Sequence, residues 1–162
     1  MMKLEIQTEM NMINKMKIAH IAGILVSAYL LVSCGQQESE KFDLELSKLQ
    51  WNRPGKQWTE AELRLLATGE TLYRRNCSVC HARDGQGDIQ LGAPALYKSP
   101  TVTGPGSALI QLILEGKKGT VMPAFADALS DQQVAEIATY VRNAWGNDVL
   151  DIVMREEVKQ LR

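Results

Sequence analysis

A small all-α fold is what this sequence predicts, and three observations carry it. Thr59 with Glu62 and Ser130 with Gln133 are helix-start signals of the same capping-box type. Behind each, apolar residues recur at three- and four-residue steps. No stretch alternates convincingly enough to make a strand, and no internal repeat is visible. The chain has 162 residues, formal net charge −1, 3 Cys and 2 His, which suits one small domain. That charge balance argues against a basic nucleic-acid binder, so no nucleic-acid partner is expected.

Residues 1–33 read as an address. Lys15 and Lys17 precede an apolar run from Ile18 to Val32, which stops at small residues before Cys34. This is the plan of a secretory signal, and it falls short of the roughly 20 apolar residues of a membrane span. An uncleaved anchor is the alternative, and Met10, Met12 and Met16 are alternative starts. Leu31, Val32, Ser33 and Cys34 resemble a bacterial lipobox, which makes Cys34 the lipid attachment site and places the mature chain outside the cytoplasm. Residues 34–58 begin polar and carry Pro54 and Gly55, so they read as a tether. Phe42, Leu44, Leu46, Leu49 and Trp51 either pack on the domain's own flank or dock a membrane partner.

The domain is expected over residues 59–147. The first helix runs from Thr59 to about Asn76, with Leu65, Leu66, Gly69, Leu72 and Tyr73 along one broad side. A glycine at 69 costs about 1 kcal/mol there relative to Ala, which a close crossing by another backbone explains. Ser107 to Glu115 reads as a short apolar helix closed by Gly116. In the last helix Val134, Ile137, Ala138, Val141 and Trp145 share a face, and Gly146 and Asn147 stop it. Ala82 to Gly106 and Lys117 to Leu129 are loop-rich.

The chemistry concentrates in "RRNCSVCHARDGQG", residues 74–87. A structural zinc site takes four Cys or His ligands, and only Cys77, Cys80 and His81 are at hand. A redox dithiol belongs beside a βαβ unit, of which there is no sign. Covalent haem attachment accounts for the spacing: two thioethers fix the porphyrin edge to one turn, and the next side chain reaches the iron.

With that motif after the first helix, then "GAPALYKSP", "GTVMPAF" and a capped helix ending "YVRNAWGN", residues 59–147 resemble the class I monohaem cytochromes c. The resemblance implies that the first and last helices cross, with Gly69 and Tyr73 near Ile137 and Tyr140, around one covalent haem c. It implies that His81 ligates the iron while the Pro94 carbonyl holds its ring. Leu96 then lies against the porphyrin. His20 falls in the leader, so the mature chain has no second His for the sixth position. Of Met122 and Met154, only Met122 sits in a domain loop, followed by Pro123 as in the family pattern, and it becomes the second axial ligand.

The expected role follows: a lipid-anchored, periplasm-facing carrier of single electrons, not itself an enzyme, whose partners are redox proteins of membrane respiratory complexes. The alternatives are a fixed cytochrome subunit of a membrane dehydrogenase, oxidase or reductase, and a haem sensor or enzyme with a labile Met122. Residues 148–162 are an amphipathic extension in which Leu150, Met154, Val158 and Leu161 would share a helix face. Such a short helix needs a surface, either the domain or a partner.

Overall fold

Two helices that cross at a glycine organise the structure, a computed structural model that describes residues 42–162. The expected leader, residues 1–33, and Cys34 lie outside the described residues. The helices are α1 Leu44–Trp51, α2 Glu60–Asn76, α3 Ser78–His81, α4 Pro100–Thr103, α5 Gly106–Glu115, α6 Asp131–Asn143 and α7 Arg155–Leu161, with a 3-10 turn at Ala144–Gly146. No strand forms among the described residues; Asp88 with Ala93 and Arg53 with Lys56 make isolated bridges. The fold is all-α, as the sequence predicts.

Both capping boxes form. The Thr59 hydroxyl accepts from the Glu62 amide, and the Glu62 carboxylate accepts from the Thr59 amide at 2.6 Å. Ser130 and Gln133 do the same for α6. Each box satisfies amides that a helix start otherwise leaves unpaired, worth about 1 kcal/mol.

The crossing of α2 and α6 explains Gly69. A Cβ there would lie 2.2 Å from the Glu136 carbonyl oxygen and 2.8 Å from Tyr140 Cβ, so only glycine admits this approach. Leu63, Leu66 and Tyr73 of α2 are buried with Val134, Ile137, Ala138 and Val141 of α6 and Ile110, Ile113 and Leu114 of α5. The buried face of α2 begins at Leu63, and Leu65 is only half-buried. The crossing point centres the stripe on 63, 66, 69 and 73, which moves it off Leu65.

Within residues 34–58, α1 is capped by Asp43 and ends at Trp51, which is buried edge-on to Tyr140 with ring centroids 5.7 Å apart. Trp58 Nε1 donates to the Trp51 carbonyl at 2.9 Å. Leu46 and Leu49 on the same helix face outward, 63% and 81% exposed.

After α6 the chain departs from the expected pattern. Trp145 leaves the helix in the left-handed region, φ 58°, and residues 149–154 are not helical. Side chains and a carbonyl of α6 take the amides of this segment: Val149 donates to the Arg142 carbonyl, Leu150 to Asn143 Oδ1 and Val153 to Thr139 Oγ1. Val153 is therefore buried and Met154 exposed, and helix begins only at Arg155. The Arg142 guanidinium, almost fully buried, holds Asp151 through two bonds of 2.9 and 2.6 Å and the carbonyls of Val102 and Gly104 at 2.7 Å. Every polar atom in that buried cluster has a partner.

Candidate functional site

Helix α2 delivers the motif. The Cys77 amide donates to the Tyr73 carbonyl at 2.8 Å, and the Cys77 carbonyl accepts from Cys80 at 3.1 Å and His81 at 2.9 Å. Residues 77–81 thus make one turn that sets Cys77 and Cys80 on neighbouring positions. Ala82, with φ 59°, ends it. Tyr73 Oη donates to the Ala82 carbonyl at 2.6 Å and lies 3.3 Å from that of His81, pinning the turn's exit. Burial, and then the neighbouring Cys77, Tyr140 and Asp84, push the Tyr73 phenol above its usual range, so it stays a donor.

His81 Nδ1 lies 3.0 Å from the Pro94 carbonyl oxygen. A carbonyl only accepts, so Nδ1 carries a proton; in the neutral ring this leaves the lone pair on Nε2, the tautomer a metal ligand needs. Pro94 is held in turn. The Gly87 amide donates to the His81 carbonyl at 3.0 Å, and a Cβ at Gly87 would sit 2.4 Å from the Ala93 oxygen and 2.7 Å from that of Pro94. Leu96, half-buried against the core, donates its amide to the Gly85 carbonyl at 2.7 Å.

Trp145, which sequence reasoning put on the apolar face of the last helix, and Asn147, which it read as that helix's stop, complete this side. The Trp145 ring covers Gly85, where a Cβ would lie 2.4 Å from it, and Trp145 Nε1 donates to the Arg83 carbonyl at 3.1 Å. Asn147 accepts from the Lys98 amide at 2.6 Å and donates to the carbonyls of Leu96 and Val141. The available signal was "AWGN" directly after a helix: a turn motif carrying a large aromatic and an amide.

Met122 stands, half-buried, on a separate loop. Gly116 has φ +70°, and a Cβ there would lie 2.6 to 2.8 Å from the backbone of Met122, Pro123 and Ala124. The Lys117 amide donates to the Met122 carbonyl at 3.2 Å, while Phe125 and Ala126 donate to the carbonyls of Ile113 and Leu114 at the end of α5. Those carbonyls would otherwise lack partners.

Cys77 and Cys80 are not joined to each other by a disulfide. Burial, with the charge of Cys80 adding to it, pushes the Cys77 thiol up to about 12. A redox dithiol needs the opposite shift. Among the described residues no group of three or more His, Cys, Asp or Glu side chains is placed to hold a metal ion. Two thiols one turn apart, an imidazole with a free Nε2 and a thioether on a second loop are a donor set that fits a covalently bound haem.

Residues 64–141 match the family model for cytochrome c oxidase, cbb3-type, subunit III. The cytochrome c subunit of alcohol dehydrogenase (quinone) from Gluconobacter oxydans strain 621H is 27% identical over 103 residues, covering 58% of this chain and 22% of that one. The cbb3-type cytochrome c oxidase subunit CcoP of Azospirillum brasilense is 37% identical over 83 residues, 48% of this chain and 28% of its own. The cytochrome c subunit of gluconate 2-dehydrogenase from Pantoea cypripedii is 33% identical over 107 residues, 59% of this chain and 24% of its own. The chain spans about a quarter of the length of these curated relatives. The helical fold and these matches identify residues 64–141 as a cytochrome c domain, the class of electron-transfer domain that binds haem c covalently.

Proposed function

We propose that this chain is a single-electron carrier at the extracytoplasmic face of a membrane, exchanging electrons with respiratory complexes. The observation that carries the site is the bond between His81 Nδ1 and the Pro94 carbonyl beside the paired cysteines. In this reading Cys77 and Cys80 would hold the haem through two thioether bonds, His81 and Met122 would ligate its iron, and Pro94 and Leu96 would shape the surroundings. When bound, the haem supplies one reversible electron at its iron. The chain's own part is to hold both ligands still. The Pro94 carbonyl fixes the imidazole, and Gly116 and the end of α5 fix the Met122 loop, so little has to rearrange on reduction. Cys34 anchors the chain by lipid. The lipobox-like residues 31–34 support this.

Co-expression with haem-attachment machinery tests the site. The peptide spanning residues 76–83 should carry one haem by mass, and Cys77→Ala with Cys80→Ala should abolish it. Met122→Ala should keep the haem covalent, lower the reduction potential and open a carbon monoxide site; an unchanged low-spin spectrum and potential would assign the sixth position to another residue. A permanently carbon monoxide-reactive wild-type protein would instead favour a sensor. Lipid on Cys34 is read by mass of the mature N-terminus.

A second reading is favoured by the names of the relatives, all cytochrome c subunits of dehydrogenases or oxidases. In it the chain is a fixed subunit of such a complex. Purification in mild detergent separates the two: a stoichiometric partner means a subunit, a monomeric lipoprotein means a carrier.

A further inference from the structure

We propose that Arg162 is a positioning residue for Met122, the clasp by which the C-terminal segment holds the ligand loop closed. The inference rests on the reading of Met122 as an axial ligand. The loop leaves Met122 through Pro123 and must turn into α6 at Asp131, nine residues on. One guanidinium spans that turn: Arg162 Nη1 donates to the Ala126 carbonyl, Nη2 to the Leu129 carbonyl at 2.9 Å, and Nε to the Asp131 carboxylate. Ala126 is therefore gripped on both sides, its amide by the Leu114 carbonyl and its own carbonyl by Arg162.

The segment that brings Arg162 there is itself tied down. Asp151 is held by Arg142 and Val153 by Thr139, and Val158 of α7 is completely buried. Arg162 closes the helix with its amide on the Val158 carbonyl. A neutral thioether is a weak donor, so how long it stays on iron depends on how firmly its loop is kept in the bound geometry. Charge-assisted bonds are about twice as strong as neutral ones, and three of them from one planar fork cannot be reproduced by lysine.

The test uses the full-length, haem-loaded protein and compares Arg162→Ala, Arg162→Lys and the control Arg155→Ala. Among the described residues Arg155 pairs only with the adjacent Glu156, so its loss removes a tail charge without touching the loop. Arg162→Ala should raise carbon monoxide affinity of the reduced protein about tenfold, the scale of one lost charge-assisted bond. It should also weaken the visible thioether-to-ferric-iron band and speed hydrogen exchange at the Ala126 amide. Arg162→Lys should fall between Ala and wild type, and Arg155→Ala should match wild type.

If Arg162→Ala lowers only the melting temperature and leaves affinity and band within twofold of wild type, the clasp is overturned and Arg162 is structural. The same holds if Arg155→Ala produces the same change. Met122→Ala run in parallel separates the two layers. A silent Met122→Ala removes the ligand reading and the clasp with it, whereas a responsive Met122→Ala beside a silent Arg162→Lys and Arg162→Ala removes the clasp alone.

Discussion

The His81 side and the Met122 side of this domain are fastened by different means. His81, Pro94 and Leu96 lie within 16 residues of one another and are knitted by backbone bonds among Gly85, Gly87 and the motif turn, then covered by Trp145 and stapled by Asn147. The Met122 loop has fewer local bonds. It leans on the last carbonyls of α5 and on one cation, Arg162, which is 31 to 36 residues away from its acceptors. The contrast teaches that the His81 side should fail only when the domain fails, while the Met122 loop can loosen in an otherwise intact fold.

Trp145→Ala should have the largest effect on stability. It strips the ring from Gly85 and from Tyr73 and Tyr140, whose centroids lie 5.0 and 5.4 Å away. A loss of about 3 kcal/mol is expected. In chemical denaturation the midpoint should fall sharply, yet carbon monoxide reactivity below the transition should stay near wild type. A large rise in that reactivity would show that Trp145 also governs the Met122 side.

Gly116→Ala attacks the other side. The residue must keep φ near +70° with a Cβ pressed on the backbone of residues 122–124, costing about 2 kcal/mol. Here the spectral change should outweigh the loss of stability: the thioether band fades and carbon monoxide binds more tightly. Equal behaviour of Gly116→Ala and Trp145→Ala would erase the distinction between the two sides.

Asn147→Ala sharpens the comparison on the His81 side. It removes the acceptor for the Lys98 amide and the donor to Leu96 and Val141, for about 1.5 kcal/mol. Faster hydrogen exchange at the Lys98 amide, with carbon monoxide reactivity unchanged, is the expected result.

The smallest effect calibrates the rest. Burial raises the Glu62 pKa, but bonds from the Thr59 amide and hydroxyl and from Lys56 outweigh it and leave the carboxyl below its usual range. A lowered folded value stabilises above the ordinary carboxylate range and is lost as pH falls through the folded value. Glu62→Gln should therefore cost about 1 kcal/mol at neutral pH, a gap that narrows in acid, with no spectral change at either.

Much of this was legible in the residues alone. The capping boxes act over three positions, so Thr59 with Glu62 and Ser130 with Gln133 announce α2 and α6 without help from the fold. Gly69 announced a crossing because an unexplained helix glycine has few other uses, although it could not say that Glu136 supplies the carbonyl it meets. The motif turn is equally local, and its chemistry could be argued from valence and spacing, whereas the part of Pro94 came only from the resemblance.

What the sequence determined by itself is therefore the all-α class, its two main helices and the attachment motif, because each is encoded in interactions a few residues long. The tertiary structure decided the rest. The face expected of Leu150, Met154, Val158 and Leu161 is not one helix face, because Thr139, Arg142 and Asn143 of α6 claim the backbone amides of residues 149–153 and bury Val153 in place of Met154. Trp145 turned out of its helix to cover Gly85, and Arg142 and Arg162 found carbonyls 33 to 40 residues distant. A guanidinium's choice among distant acceptors leaves no periodic trace in sequence, since only the packed helices bring those acceptors within reach.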